Sequence, residues 1–326
     1  MRKSAITIAG VAALLGAALP AVPAHAYSAV TYVASNGSDA TGCQHAAPCA
    51  TIGFALSNTP DGGTVRCIDP LSDVSFQNTV TITRSVTIDC SGVNGTIART
   101  GALGFIINAP GAAVTLRGLS ITSLTDTKNG NFPGGPGAIG VDILAAASVT
   151  IEDCLISGFT ANAAQGIRIA PTSGFTTVTI TNTLIINNGL GIFALGAQGL
   201  LVTLSRVTMV NNAFGGFRAS GAGSGVFANI VDSIANDNGT NGFVATSPAG
   251  GSAVVFDIQR SNPSLNQQAG ILSDGAPASI TIGSSMVTAN ATGFARTNGG
   301  QILSYGDNRV DNNSVNGSPS GTAGTM

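Results

Sequence analysis

The chain has 326 residues, of which only 9% are charged: 13 Lys+Arg against 15 Asp+Glu, a formal net charge of −2. Phosphate binding demands a basic face, so this balance excludes a nucleic-acid partner. With Glu152 the one glutamate and Lys128 the one lysine after Lys3, the chain also lacks the charged helix surfaces of an ordinary globular enzyme, and Thr, Ser, Asn and Gly must make its exterior.

In chain order, Arg2 and Lys3 precede an apolar run from Ile6 to Leu19 and a small-x-small site at Ala24-His25-Ala26, the pattern of a secretory leader. The run is shorter than the ~20 residues that span a bilayer, so residues 1–26 are expected to be removed and the remainder exported, periplasmic or extracellular, with no membrane insertion. Without Arg2 and Lys3 the basic count falls from 13 to 11 against 15 acidic groups, a balance of −4. Residues 27–64 read as an N-terminal cap region. Its turn-rich segment Ser35-Asn36-Gly37-Ser38-Asp39 is followed by a short helix over Ala50 to Ser57, whose Ile52, Phe54, Ala55 and Leu56 would lid an open hydrophobic end.

Five cysteines in an exported chain point to disulfides with one left over. Cys43 and Cys49 flank a short loop, and Cys67 and Cys90 are close to one repeat apart, so each is expected to pair. Cys154 reads as a buried small hydrophobe, since neither histidine lies near it in sequence.

From residue 65 a faint repeat takes over. Val149-Thr150-Ile151, Val178-Thr179-Ile180, Val202-Thr203-Leu204 and Ile280-Thr281-Ile282 are copies, with Val226, Val254 and Ile302 weaker ones, at intervals of 29, 24, 24, 28, 26 and 22. Short strands at this period with Gly/Asn corners and no helices between them are the mark of a β-solenoid. Earlier strands are predicted at Val65–Cys67, Val80–Ile82, Val86–Ile88, Phe105–Ile107 and Val114–Leu116. The fold class is therefore all-β, a parallel β-helix over residues 65–313 of about 8–9 coils, and about 40 Å long at ~4.8 Å per coil. Alternation puts Val149, Val178, Val202 and Ile280 inside and Thr150, Thr179, Thr203 and Thr281 outside. Asn188, Asn212, Asn290 and Asn312 suggest a stacked Asn corner. Gly140, Gly166, Gly191, Gly216, Gly242, Gly270 and Gly293 mark places needing either unusual φ or close approach. The stretch between Leu124 and Gly137 lengthens one coil to 35 residues between Val114 and Val149, and residues 314–326 read as a flexible tail.

Several segments resemble exported bacterial right-handed parallel β-helix proteins of the pectin-lyase-like superfamily. They are Tyr32-Val33-Ala34-Ser35-Asn36-Gly37 with Cys43-x5-Cys49-Ala50-Thr51, Cys67-Ile68-Asp69-Pro70, Ser85-Val86-Thr87-Ile88-Asp89-Cys90, Val114-Thr115-Leu116-Arg117-Gly118-Leu119, and Ser304-Tyr305-Gly306-Asp307-Asn308-Arg309-Val310. The resemblance covers nearly the whole chain after the leader. It implies right-handedness and an active face on the outside of one sheet, within a superfamily that includes pectate lyases and polygalacturonases; the close family carries no assigned activity.

Taking the residue after each Gly-Ile/Phe as outward gives a column Ile106, Asp142, Arg168, Phe193, Arg218, Val244, Leu272 and Ala295. Asp142 and Arg168 are placed to pair, and Arg168, Phe193 and Arg218 to form a guanidinium–aromatic stack. One reading makes this column a groove for an acidic saccharide, with Asp142, Arg168 and Arg218 as catalytic candidates for β-elimination and Phe193 as a ligand contact. The other makes it an exposed ion pair on a solvated face. Hydrolysis would want two carboxylates across the groove and the column holds one. Asp232 and Asp257 read as isolated, Glu152 and Asp153 as facing another sheet, and His45 as a surface residue with no second His. No metal and no cofactor is predicted. The function expected is an exported protein contacting a carbohydrate or other surface polymer; the alternatives are a lyase or epimerase acting on a uronate glycan, and a structural or adhesive rod.

Overall fold

The computed structural model describes residues 29–73, 79–99, 103–123, 138–160, 163–196 and 198–324. The expected leader at 1–26 and the long loop at 124–137 lie outside them. A typical coil contributes three strands, as in Ser148–Glu152, Leu155–Ser157 and Gln165–Ile169, followed by Thr176–Thr181, Leu184–Ile186 and Leu190–Leu195 one coil later. Every strand pairs in parallel with its equivalent in the neighbouring coils. Among the described residues sheet 1 holds twelve strands, sheet 2 seven and sheet 3 nine, and a separate two-stranded sheet pairs Met286–Thr288 with Arg309–Asp311. The fold is a right-handed parallel β-helix.

Sheet 1 is the Val-Thr-Ile sheet, and its register follows the repeat. Val149, Val178 and Val202 are successive partners, and with Ile280 all are buried. Fully burying such a side chain contributes about 1.5–3 kcal/mol, so one-sided alternation over many coils holds the rod together. On the outer face Thr64, Thr87, Thr115, Thr150, Thr179 and Thr203 form an unbroken ladder. Thr281 stands apart from it, because Asn229 and Asp257 intervene.

The corners explain the polar residues of the repeat. Between sheets 1 and 2 a single left-handed residue turns the chain: Asp153, Asn182, Arg206, Asp232, Arg260 and Ser284 all have φ between 46° and 55°. At the next corner a second left-handed residue, Asn187, Asn211, Asp237, Leu265, Ala289 or Asn312, precedes an inward-turned asparagine in six successive coils. Asn188, Asn212, Asn238, Asn266, Asn290 and Asn313 stack there, each Nδ2 donating to the Oδ1 of the next at 3.0–3.2 Å. The expected member Asn312 is instead the left-handed residue itself, φ 55°. Asn313, one position later, carries the ladder, because the turn needs its own residue before the inward one. Asn238 and Asn266 belong to it as well.

None of the seven repeat glycines has a positive φ; close approach is what they supply. A Cβ on Gly140, Gly166, Gly191, Gly216 or Gly242 would lie 2.5–2.8 Å from the carbonyl oxygen of the next glycine, so a side chain there would push the coils apart.

Both ends are closed. Helix Ile52–Ser57 buries Ile52, Ala55 and Leu56, and its N-cap Thr51 accepts from Phe54 N at 3.2 Å. Cys43 is bonded to Cys49, and Cys67 to Cys90 across adjacent coils. At the other end the expected flexible tail is corrected over 315–323. Gly293 N donates to Val315 O at 2.8 Å, Ser320 N to Ile302 O at 2.7 Å and Ala323 N to Ser304 O at 2.9 Å. The last coil offers a row of open backbone groups, and the segment satisfies them.

Candidate binding site on the third sheet

Sheet 3 carries the outward column in register. Ile106, Asp142, Arg168, Phe193, Arg218, Val244, Leu272 and Ala295 are successive Cα partners, about 4.8 Å apart along the axis. The side chains sort this column into two parts.

The first part is a closed pair. Arg168 Nε donates to Asp142 Oδ1 at 2.7 Å and Nη2 to Oδ2 at 2.6 Å. Asp142's side chain is 3% exposed and Arg168's 36%. The hydrogen bonds to Asp142 raise the Arg168 pKa above its ordinary value, so the guanidinium stays charged. Asp142 lies beneath Arg168 with both oxygens engaged, which removes it from the role of a base facing a ligand. The expected stack on Phe193 does not form either: among the described residues the ring contacts include no guanidinium on Phe193. Satisfying a buried carboxylate outweighs a cation–π contact at a half-exposed site, so Arg168 turns back to Asp142.

The second part is open. Arg218 is exposed and makes no hydrogen bond or ion pair among the described residues. It lines a cavity of about 370 Å³ with Phe214, Thr240, Asn241, Val244, Thr246, Gln268, Leu272 and Asp274. Asp274 is the group that sequence reasoning missed, although it lies two positions beyond Leu272 in one strand and so on the same face. Thr297 Oγ1 and Asn298 Nδ2 each donate to its Oδ1 at 2.7 Å, and Thr246 Oγ1 donates to Oδ2 at 3.3 Å. Those donors, Thr297 first, then Asn298 and Thr246, with the Arg218 charge a smaller influence, hold its pKa below the usual carboxylate value against the opposing effect of burial. Asn241 is fixed by accepting from Ala269 N at 2.9 Å and donating to Gln268 Oε1 at 3.4 Å, and no hydrogen bond engages the side-chain Nε2 of Gln268 among the described residues.

The other sequence candidates lie away from this face. Glu152 pairs with Arg117 on sheet 1 at 2.9 Å. Asp232, expected to be isolated, is held by Arg260 through bonds of 2.8 and 3.1 Å, because the two occupy equivalent corners 28 residues apart. Asp257 accepts from Gln259 Nε2 at 3.1 Å. His45 packs edge-on to Tyr32, 5.0 Å between ring centres. Cys154 is a free, buried thiol whose pKa burial pushes up to about 11. Among the described residues no three His, Cys, Asp or Glu side chains converge as metal ligands would, and no helix is long and apolar enough to cross a membrane.

Among solved structures the chain is similar to pectate lyase Pel9A, with a TM-score of 0.61 and 16% identity over 84% of this chain and 74% of that one. It also matches GH136 lacto-N-biosidase from Eubacterium ramulus over 86% of this chain and 67% of that one, at 9% identity and a TM-score of 0.38, an overlap too slight to argue from. No protein-family model and no curated protein matches the sequence. The solenoid and the first likeness together define a right-handed parallel β-helix, the fold shared with that lyase, which by itself assigns no function.

Proposed function

We propose that this is an exported β-helix protein that binds an acidic polysaccharide along the outer face of sheet 3, with Arg218 taking the carboxylate. The observation that carries the reading is an unpaired guanidinium lining a cavity beside a polar wall of Thr240, Asn241 and Gln268. A planar fork of N–H donors recognises carboxylates bidentately, and pockets of this size with a few convergent polar groups are where small ligand units seat. The likeness to a protein named as a pectate lyase supports a polymer of this class. Arg168, already neutralised by Asp142, gives the polymer a polar contact two coils away.

Calorimetric titration of the protein with oligogalacturonate tests this. Binding should weaken with added salt. Arg218→Ala should lower affinity by about 10- to 100-fold, the worth of a charge-assisted hydrogen-bonded contact. Wild-type protein that binds neither this nor other uronate oligomers would leave the rod as a structural element. Ultraviolet-absorbing unsaturated product in the same mixtures would instead assign β-elimination.

A further inference from the structure

We infer that the Arg218–Asp274 cavity is built for a glycan segment bearing both charges on one or on adjoining sugar units, a carboxylate set against Arg218 and a free ammonium group against Asp274, so that its ligand is an acidic glycan containing unsubstituted amino sugar. This rests on the carbohydrate reading of the same face.

The cavity holds one cation and one anion that do not pair with each other. Arg218 and Asp274 stand in adjacent outward columns and two coils apart, since Arg218 partners Val244, Val244 partners Leu272, and Asp274 follows Leu272 by two residues. No hydrogen bond and no ion pair within 4.0 Å joins them, although the field of Arg218 reaches Asp274. At about 4.8 Å per coil and about 3.3 Å per residue their Cα atoms are on the order of 12 Å apart, a span that a sugar unit and its substituents can bridge.

Asp274 is built to stay ionised in place. Oδ1 accepts two hydrogen bonds at 2.7 Å, whereas Oδ2 accepts one, long at 3.3 Å. A carboxylate oxygen has room for two donors, so Oδ2 can accept one more. Between the two charges lie Val244 and Leu272, an apolar floor against which the C–H face of a sugar ring can lie, with Phe214 on the rim. A plain uronate attracted to Arg218 brings its negative charge toward Asp274 and is penalised there; an ammonium group on the same or the adjoining unit turns that penalty into attraction.

The test compares two probes that differ only at nitrogen: hyaluronan oligosaccharide, which carries carboxylate and N-acetyl groups, and the same oligosaccharide N-deacetylated, titrated into the full protein at mildly acidic pH. The deacetylated probe is expected to bind about tenfold tighter or better. Chitosan oligomer, with ammonium alone, should bind more weakly than the deacetylated probe. Asp274→Asn should weaken the deacetylated probe and tighten the N-acetylated one, cancelling the preference, while Arg218→Ala should weaken both. Equal binding of the paired probes, or a preference that survives Asp274→Asn, overturns the inference and leaves uronate binding standing. If no uronate probe binds at all, the carbohydrate reading of the face fails with it. The paired probes decide the matter in wild-type protein even if a variant folds poorly.

Discussion

Replacing Arg168 by alanine should cost more stability than replacing Asp142, although Arg168 is the more exposed partner. Asp142 is 3% exposed and held by two bonds of 2.7 and 2.6 Å. Taking away one partner of a buried pair leaves an uncompensated charge, a loss of about 3–5 kcal/mol. Because the Arg168 side chain is 36% exposed, water can enter its vacated place, and the lower end, about 3 kcal/mol, is the expectation here. Asp142→Ala leaves a guanidinium that reaches solvent, at about 1 kcal/mol. Adding Asp142→Asn to Arg168→Ala should recover much of the loss, since a neutral amide needs no counter-charge. Denaturant unfolding followed by far-ultraviolet circular dichroism measures all three, with unchanged slopes as the check that midpoints are comparable. Asp142→Ala costing as much as Arg168→Ala would refute the view that the arginine is there to neutralise a buried carboxylate.

Other consequences follow from the corners and the cysteines. Asn238→Ala leaves Asn212 N–H and Met209 C=O without the partners they have at 3.1 and 3.2 Å; unfolding should become easier by about 2–4 kcal/mol, against a smaller loss for Asn313→Ala, where the side chain is half-buried and water can replace the lost partners, and equal losses would contradict the ladder's role. Removing Cys67–Cys90, which closes a separation of 23 residues, should cost about 3 kcal/mol by loop entropy, against about 2 for Cys43–Cys49 with its separation of 6; thermal melts of the two serine double variants give the ranking. Cys154, buried with its pKa pushed up to about 11, should react with a thiol reagent at neutral pH only on unfolding, and rapid labelling of native protein would place it wrongly.

The rod was legible because its strands alternate one-sidedly and repeat in phase. Val149 and Val178 could be stacked from spacing alone, and the same phase put Asp142 beside Arg168 and Arg218 two coils farther on. Corner chemistry was less legible. A one-residue left-handed turn shifts phase by one, which is why Asn312 was expected where Asn313 sits. The sheet-2 strands, three residues long in Leu155–Ser157 and Leu184–Ile186, are too short to show a period. Side-chain direction was not legible at all. Phe193 was placed between two arginines, but desolvation of Asp142 draws Arg168 the other way, and this depends on a burial that spacing does not reveal. Asp274 is not legible from the Gly-Ile/Phe column alone, because the cavity is made by two adjacent outward columns.

A crystal structure of the protein with bound oligogalacturonate tests the sheet-3 binding face directly. The expected result is a carboxylate within hydrogen-bonding distance of Arg218, with its sugar ring over Val244 and Leu272 on the outer face of sheet 3. An oligosaccharide seated on the threonine ladder of sheet 1, or on sheet 3 without contact to Arg218, would contradict it.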